Sequence, residues 1–479
     1  MPEIENQPEV LPQPKDLGCI LQVNTSDLGG GAEKYSYGLM TAFRDRGYDS
    51  WMAVGTKRRD DANVVVLPNK EQRPPYQRFM WSLHDRLEGS NLPAKPKRLL
   101  TWLVRRWAEP LVAWRNYLGF DSYGFRGTKF LLKLTPKPPS IVHLHNLHGG
   151  YFDLRLLPTL SRQSAVFITL HDNWALTGYC SYTFGCDRYI SGCGKCPELG
   201  AYRKVGFDGT GQSWQHKKAI YQNSKLYIAT PSQWMMNMVD RSVLGAAAVE
   251  RRVIPVGVDQ SVYKPGDKNE DRRALGLPLD AMVLVFASNG GRTSRYKDFA
   301  TLRSAFEILT GLLATDKPLI LLALGETGPS EFFGSAEIRF VPFLKEPSQV
   351  ARYYRAADIY VHSAREDNFP AVIIEAMSCG TPVVATAVGG IPEQIRGLQT
   401  LGPHDLNKIP REQATGVLVH PRDPDALALA IKALLEDKDL LAELGANAAA
   451  DAALRFNAET QIAAYLTWYD EVLKAKRHG

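Results

Sequence analysis

Short apolar runs alternating with helical stretches set the tightest limit on how this chain can fold. The first run is 17–23 (LGCILQV). It passes through Asn24–Asp27 into three glycines, Gly29–Gly31, and a helical pattern follows through Ala42. Strand-like runs recur at 51–55 (WMAVG), 63–68 (NVVVLP), 140–146 (SIVHLHN), 165–172 (AVFITLHD) and 224–231 (SKLYIATP). After residue 255 the pattern restarts. MVLVFAS (282–288) leads into a glycine- and arginine-containing loop and a helix, FATLRSAFEILTGLL. Runs at 319–325, 338–344, 359–363, 382–388 and 416–419 continue the series. Apolar strands alternating with helices predict a mostly parallel sheet whose ligands sit at the carboxyl ends of the strands. Two such series predict two doubly wound, Rossmann-like α/β domains. A chain of 479 residues is also too long for a single core.

The expected boundary lies near Pro255–Gly257, giving a first domain over 17–255 and a second over 256–456. The C-terminal stretch 457–479 is expected to be a helix crossing back to the first domain, with Tyr465, Trp468 and Tyr469 on it. The start, MPEIENQPEVLPQPKD, is acidic and proline-rich and lacks a signal-peptide pattern, so 1–16 is expected to be a disordered tail. No run reaches the roughly 18 apolar residues that span a bilayer. The expectation is a cytoplasmic protein held peripherally on the inner face of the plasma membrane.

Charge is unevenly placed. Residues 68–137 hold 14 Lys/Arg and 5 Asp/Glu, while the rest of the chain is slightly acidic. This segment interrupts the first domain and carries Trp81, Trp102, Trp107 and Trp114. A helix is expected over KPKRLLTWLVRRWAEPLVAWRNYLGF, kinked at Pro110. Leu100, Leu103, Trp107, Leu111, Trp114 and Leu118 repeat at helical spacing, with Arg98, Arg105, Arg106 and Arg115 between them. Two readings stand: an interfacial helix on an anionic membrane, or an amphipathic helix packed on its own domain.

Four constellations carry chemistry. In SAREDNFPAVIIEAMSCGTPVVAT, Asp367 and Glu375 are eight residues apart around a helix expected to start near Pro370 and stop at Gly380. Such acids can accept hydrogen bonds from sugar hydroxyls, although spacing alone favours surface acids flanking a core helix. In NGGRTSRYKDF, Arg292 and Lys297 (with Arg295 as an alternative to Arg292) stand at a strand end, where fixed cations can neutralise a departing diphosphate. Gly29-Gly30-Gly31-Ala32-Glu33 is a glycine turn opening a helix, which suits a phosphate but lacks the spacing of a P-loop. His143, His145, His148 and His171 suggest acid–base work or metal ligation, though HLHNLHGG lacks the glutamate of a zincin.

Taken in order, these motifs resemble the retaining family 4 glycosyltransferases, whose fold is GT-B: two Rossmann-like domains facing across a cleft. The match runs through Asp367-Asn368-Phe369-Pro370 and Glu375-Ala376-Met377-Ser378-Cys379-Gly380-Thr381-Pro382-Val383. Asp-Asn-Phe-Pro stands where the family has Glu-Gly-Phe-Gly. PSQWM (231–235), VIPVGVDQSVYKP (253–265), YYRAADIYVHS (353–363) and VGGIPEQI (388–395) extend it. The resemblance implies that Asp367, or its neighbour Glu366, contacts the donor sugar and that Glu375 binds the ribose. It implies Arg292 and Lys297 at the diphosphate, with Asn368, Phe369, Pro370, Gly30 and Gly31 lining the donor. It also implies His171 beside the sugar. His145 and His148 are expected to line the acceptor side, with His143 structural.

The implied activity is retaining, metal-independent sugar transfer of hexosyltransferase type. The donor would be a UDP- or GDP-type nucleotide sugar and the acceptor a glycan, in particular a lipid-linked one. A nucleotide-sugar epimerase of the same fold is the alternative enzyme, but it leaves the insert at 68–137 without a purpose. A basic nucleic-acid-binding protein is the alternative outside enzymes. Against it, no RNA-reading motif is present and the basic residues avoid the cysteines.

Cys180, Cys186, Cys193 and Cys196 fall within seventeen residues, in the loop 178–200. Two readings stay open, a structural zinc site and unligated or redox-active thiols. The surrounding TLHDNWALTGYC resembles the bacterial surface-polysaccharide branch of the family, of the colanic acid type. Cys19 and Cys379 sit in apolar contexts and are expected to be buried.

Overall fold

The computed structural model describes residues 13–120, 123–200, 205–313, 316–398 and 408–478. Contacts divide the chain into two units. One holds the chain up to Ala229, Met236–Arg252 and the end from Leu466. The other holds Thr230–Met235 and Val253–Tyr465. Of the segment expected to be disordered, residues 1–12 lie outside the described residues, and Pro14–Leu17 form a helical turn.

The first sheet has seven strands: β1 (Cys19–Ser26), β2 (Asp49–Thr56), β3 (Val64–Val66), β4 (Pro139–Leu144), β5 (Ala165–Thr169), β6 (Leu226–Thr230) and β7 (Ala248–Val253). Their spatial order is β3-β2-β1-β4-β5-β6-β7, and β1 to β6 pair in parallel. The order reverses between β1 and β4, so the loops leaving those two strands flank the crevice where such sheets take ligands.

The second sheet has nine strands: β8 (Met282–Ala287), β9 (Leu319–Leu324), β10 (Glu331–Phe333), β11 (Ala336–Val341), β12 (Ile359–His362), β13 (Val383–Thr386), β14 (Gly397–Leu398), β15 (Lys408–Ile409) and β16 (Gly416–Val419). Their order is β10-β11-β9-β8-β12-β13-β16-β14-β15, antiparallel only between β10 and β11. Alternate residues of β8 enter opposite cores. Val283, Val285 and Ala287 pack on one face, and Leu284 and Phe286 on the other. A strand buried on both faces must be apolar throughout, which is why MVLVFA reads as an unbroken apolar run. Here the order reverses between β8 and β12.

Each strand expected from an apolar run is present. β7, β10, β14 and β15 were not expected. β7 alternates half-buried and exposed residues, and the other three are two or three residues long. The last helix, Ala458–His478, places Tyr465, Trp468 and Tyr469 out of solvent, and Tyr469 packs edge-on against Phe43 and Phe167. Cys19 and Cys379 are buried, and burial pushes their thiols up to about 11 and about 12.

The insert forms helices Pro75–Glu88, Ala94–Ala108 and Pro110–Tyr117. The break at Glu109 has its cause in Pro110, because the proline ring pushes the preceding residue out of the helical region; Glu109 sits at ψ 64°. The Glu109 carboxylate then accepts from Trp81 Nε1 and Arg73 Nε, tying the first helix to the second. The apolar stripe does not pack inward. Along Ala94–Ala108 only Thr101 and Ala108 are buried, while Trp107 is 63 % and Leu111 76 % exposed. Among the described residues no helix is long and apolar enough to cross a membrane.

Candidate functional site

At the reversal point of the second sheet, the loops after β8 and β12 are sewn together. Ser363 Oγ donates to the carbonyls of Lys297 and Asp298, and the Arg365 N–H donates to the Tyr296 carbonyl. This brings Lys297 Nζ within 2.6 Å of Asp367 Oδ2, with both side chains largely buried. His362 Nε2 lies 3.2 Å from the same oxygen. Burial alone would push the Asp367 carboxyl up. The Lys297 ammonium and the His362 hydrogen bond outweigh it and hold the acid well below its usual range. The group is therefore an ionised carboxylate with one oxygen engaged.

Helix Ala371–Ser378 follows, with Pro370 at its N-cap and Gly380 turning the chain out of it at φ 77°. It places Glu375 at its middle, where Tyr354 donates to the carboxylate from 3.0 Å. Burial raises the Tyr263 phenol, and the Glu375 charge beside it raises it further. Glu366 and Asn368 are also buried, and Ser232 Oγ lies 3.4 Å from Asn368 Oδ1. Phe369 departs from its expected place among the donor contacts. Its ring joins the core and packs edge-on against Phe456, 5.8 Å between centroids.

Arg292 and Lys297 do not converge. The Arg292 guanidinium lies over the Phe340 ring and donates to Glu331 at the β10 hairpin, which Arg303 also engages. Its backbone N–H donates to Glu326, which anchors the loop. Of these two cations, it is Lys297 that pairs with Asp367.

In the first unit β4 carries His143, and the loops leaving β4 and β5 carry His145, His148 and His171. His143 is fully buried between Thr169 Oγ1 (2.7 Å) and the Tyr469 hydroxyl (2.6 Å), and burial lowers it to about 3. It is structural, as expected. His145 Nδ1 meets His171 Nε2 at 3.0 Å, and its Nε2 meets Gln22 Oε1 at 2.8 Å. Burial lowers both rings, His171 to about 4, so both are neutral near pH 7. His148 pairs with Asp172 at 2.7 Å. Burial lowers it, but the neighbouring carboxylate outweighs burial and leaves the imidazole raised. His145, His148, His171, Asp172 and Trp174 line one pocket. Gly31 opens helix Gly31–Asp45, with Gly30 at its N-cap. The Glu33 carboxylate lies against Gly29 and Gly30, so an acid already occupies the mouth of the glycine turn.

The four clustered cysteines line one pocket, and the Gly178 N–H reaches Cys193 Sγ at 3.2 Å. All four are free thiols. Among the described residues no three His, Cys, Asp or Glu side chains are arranged to hold a metal ion. Among the described residues the zinc reading therefore finds no assembled site.

Sequence reasoning passed over His362, Tyr360 and Gln22. A signal existed for each. Gln22 is a polar residue inside an apolar strand, and Tyr360 and His362 share one face of β12 two residues apart.

Residues 267–451 match the model of the family described as glycosyl transferases group 1. The D-inositol 3-phosphate glycosyltransferase 1 of Catenulispora acidiphila is 34% identical over 226 residues, 44% of this chain and 50% of that protein. The putative colanic acid biosynthesis glycosyl transferase WcaC of Escherichia coli is 26% identical over 259 residues, 52% of this chain and 60% of that one. The chain thus spans about half the length of the curated relatives it matches. The crystal structure of Anabaena HepE in complex with UDP superposes with a TM-score of 0.56 at 18% identity, over 95% of this chain and 100% of that one. That likeness shows the fold, GT-B, with two parallel-sheet α/β domains.

Proposed function

We propose that this chain is a retaining hexosyltransferase that moves a sugar from a UDP- or GDP-type nucleotide sugar to a growing, lipid-linked cell-surface glycan. The observation that carries the reading is the buried Lys297–Asp367 pair beside the helix that bears Glu375. Breaking the bond between the sugar and the diphosphate gathers negative charge on the leaving group. A fixed ammonium there lowers the barrier, and no metal ion is required for that role. Arg292 adds a second cation once it leaves Glu331. Glu375, Glu366 and Asp367 accept from ribose and sugar hydroxyls, and the backbone of Asn368 and Pro370 borders them. His171 contacts the sugar, and Gly30 and Gly31 border the donor. The acceptor hydroxyl passes its proton to the departing phosphate oxygen, so no protein base is needed. His145 and His148 belong to the acceptor side. The names of the relatives and the UDP bound by HepE agree with a nucleotide-sugar donor.

The test is a panel of UDP-, GDP- and ADP-sugars with the purified chain. One nucleotide class is expected to raise Tm and to release nucleotide, undiminished in EDTA, with the donor's anomeric configuration kept in the product. A panel in which no donor stabilises the chain or is turned over ends the proposal.

The insert supports a membrane-borne acceptor. Trp102, Trp107, Leu111 and Trp114 are exposed on its helices, with Arg98, Arg105 and Arg106 exposed among them. Aromatics at headgroup depth and cations toward anionic lipid are the chemistry of an interfacial helix. Each cation contributes about 1 kcal/mol near an anionic surface. The triple variant R98Q/R105Q/R106Q is therefore expected to lose roughly a hundredfold in binding to phosphatidylglycerol vesicles, with Tm unchanged. Binding equal to wild type in a co-sedimentation assay would rule the insert out as the membrane contact.

A further inference from the structure

Asp367 is held by more than Lys297. His362 is the last residue of β12, and Tyr360 lies two residues earlier on the same face. Both are fully buried. Tyr360 Oη is 3.0 Å from His362 Nδ1, and His362 Nε2 is 3.2 Å from Asp367 Oδ2. The chemistry of the groups fixes where the protons lie. An ionised carboxylate can only accept, so His362 Nε2 carries a hydrogen. Burial lowers the imidazole and keeps it neutral, so Nδ1 is bare and accepts from the phenol.

We propose that Tyr360 and His362 are positioning residues, forming a one-way relay, Tyr360 O–H to His362 Nδ1 and His362 Nε2–H to Asp367 Oδ2, that leaves Asp367 Oδ1 to the donor sugar. With Lys297 on the same oxygen, Oδ2 receives two donors. Among the described residues none donates to Oδ1. The group of the sugar that meets it must then be a hydrogen-bond donor: a hydroxyl or an amide N–H, and not the carboxylate of a uronic acid. The relay also offsets the shortness of this acid. Aspartate has one methylene fewer than glutamate, and its carboxylate stays in place only if its neighbours turn it. This inference rests on the sugar-transfer reading for its kinetics but not for its proton positions.

Two measurements test it. In the full chain labelled with ¹⁵N-histidine, the His362 ring, identified by its loss in His362→Gln, is expected to be protonated on Nε2 and bare on Nδ1 at pH 7. A ring found as the Nδ1–H tautomer or as imidazolium overturns the relay whatever the chain transfers. In donor turnover, His362→Ala is expected to lower kcat/KM by on the order of tenfold, chiefly in kcat, with UDP affinity within about twofold of wild type. His362→Gln, whose amide can donate to Asp367, is expected to recover much of that loss. Tyr360→Phe, which keeps the ring and removes only the hydroxyl, is expected to cost several-fold. Wild-type kinetics in His362→Ala and Tyr360→Phe overturn the relay. Absence of turnover in the wild type counts against the sugar-transfer reading instead, and the tautomer still decides this one.

Discussion

Replacing Lys297 by alanine is expected to lower donor turnover by about 10²–10³-fold, the usual cost of removing one fixed charge from a developing anion. The same change should destabilise the second unit by about 3–5 kcal/mol, because it strands the buried Asp367 carboxylate. The two effects separate in Lys297→Met/Asp367→Asn, where no charge is left unpaired. Stability should largely return there while turnover does not. The pair also sets a pH dependence. Burial pushes the Asp367 carboxyl up, but Lys297 and His362 outweigh burial and hold it below its unfolded value. A depressed native value contributes stability that is full above the unfolded pKa, about 4 for aspartate, and is lost as pH falls through the native one. Urea unfolding of the wild type should weaken below about pH 4, and the double variant should lack that component. Turnover of Lys297→Ala within tenfold of wild type would remove Lys297 from the reaction.

The meeting of Lys297 with Asp367 was only half legible in the sequence. Each lies at the end of an apolar strand, and that much is plain from the runs. That they touch depends on β8 lying beside β12, although β9, β10 and β11 intervene in the chain. Apolar runs announce strands, but strand order is decided by crossovers that leave no local mark. The same limit explains Arg292. Its sequence position pairs it with Lys297, yet the β10–β11 hairpin offers it Glu331 and the Phe340 ring. A three-residue hairpin strand has no run to read. Phe369 misled in the opposite sense. It lies inside the strongest motif, but an aromatic ring beside an open core position packs there, whatever its neighbours do. In the insert, helical spacing was correctly read as helix but could not say which way the stripe faces. Only Thr101 and Ala108 turning inward decides that.

Gly389 and Gly390, after β13, have no room for a side chain unless the backbone beside them shifts. A Cβ at Gly389 would lie 1.8 Å from the Asp367 carbonyl oxygen, and one at Gly390 would lie 2.1 Å from that of Asn368. Both obstacles are backbone, so no rotamer change relieves them. Gly389 also sits at φ 58°, where a side chain adds strain of its own. The close approach has a use: the Gly390 N–H donates to the Asn368 carbonyl at 3.0 Å, with that of Asp367 at 3.3 Å. The loop after β13 is thus a backing plate for the segment that aims Asp367. Gly390→Ala is expected to cost about 1–3 kcal/mol by overpacking, and Gly389→Ala about 1–2 kcal/mol more for the left-handed backbone. Both should lose turnover further than stability explains, since the displaced atoms belong to the acid segment and a shift of about 1 Å there can cost a hundredfold. Gly311→Ala supplies the comparison. That glycine lies in helix Phe299–Leu312 with nothing within 4 Å of its added Cβ, so alanine should be neutral or stabilising by up to about 1 kcal/mol. If Gly390→Ala matched Gly311→Ala in both Tm and turnover, the loop would be a bystander, and Asp367 would owe its position to Lys297 and His362 alone.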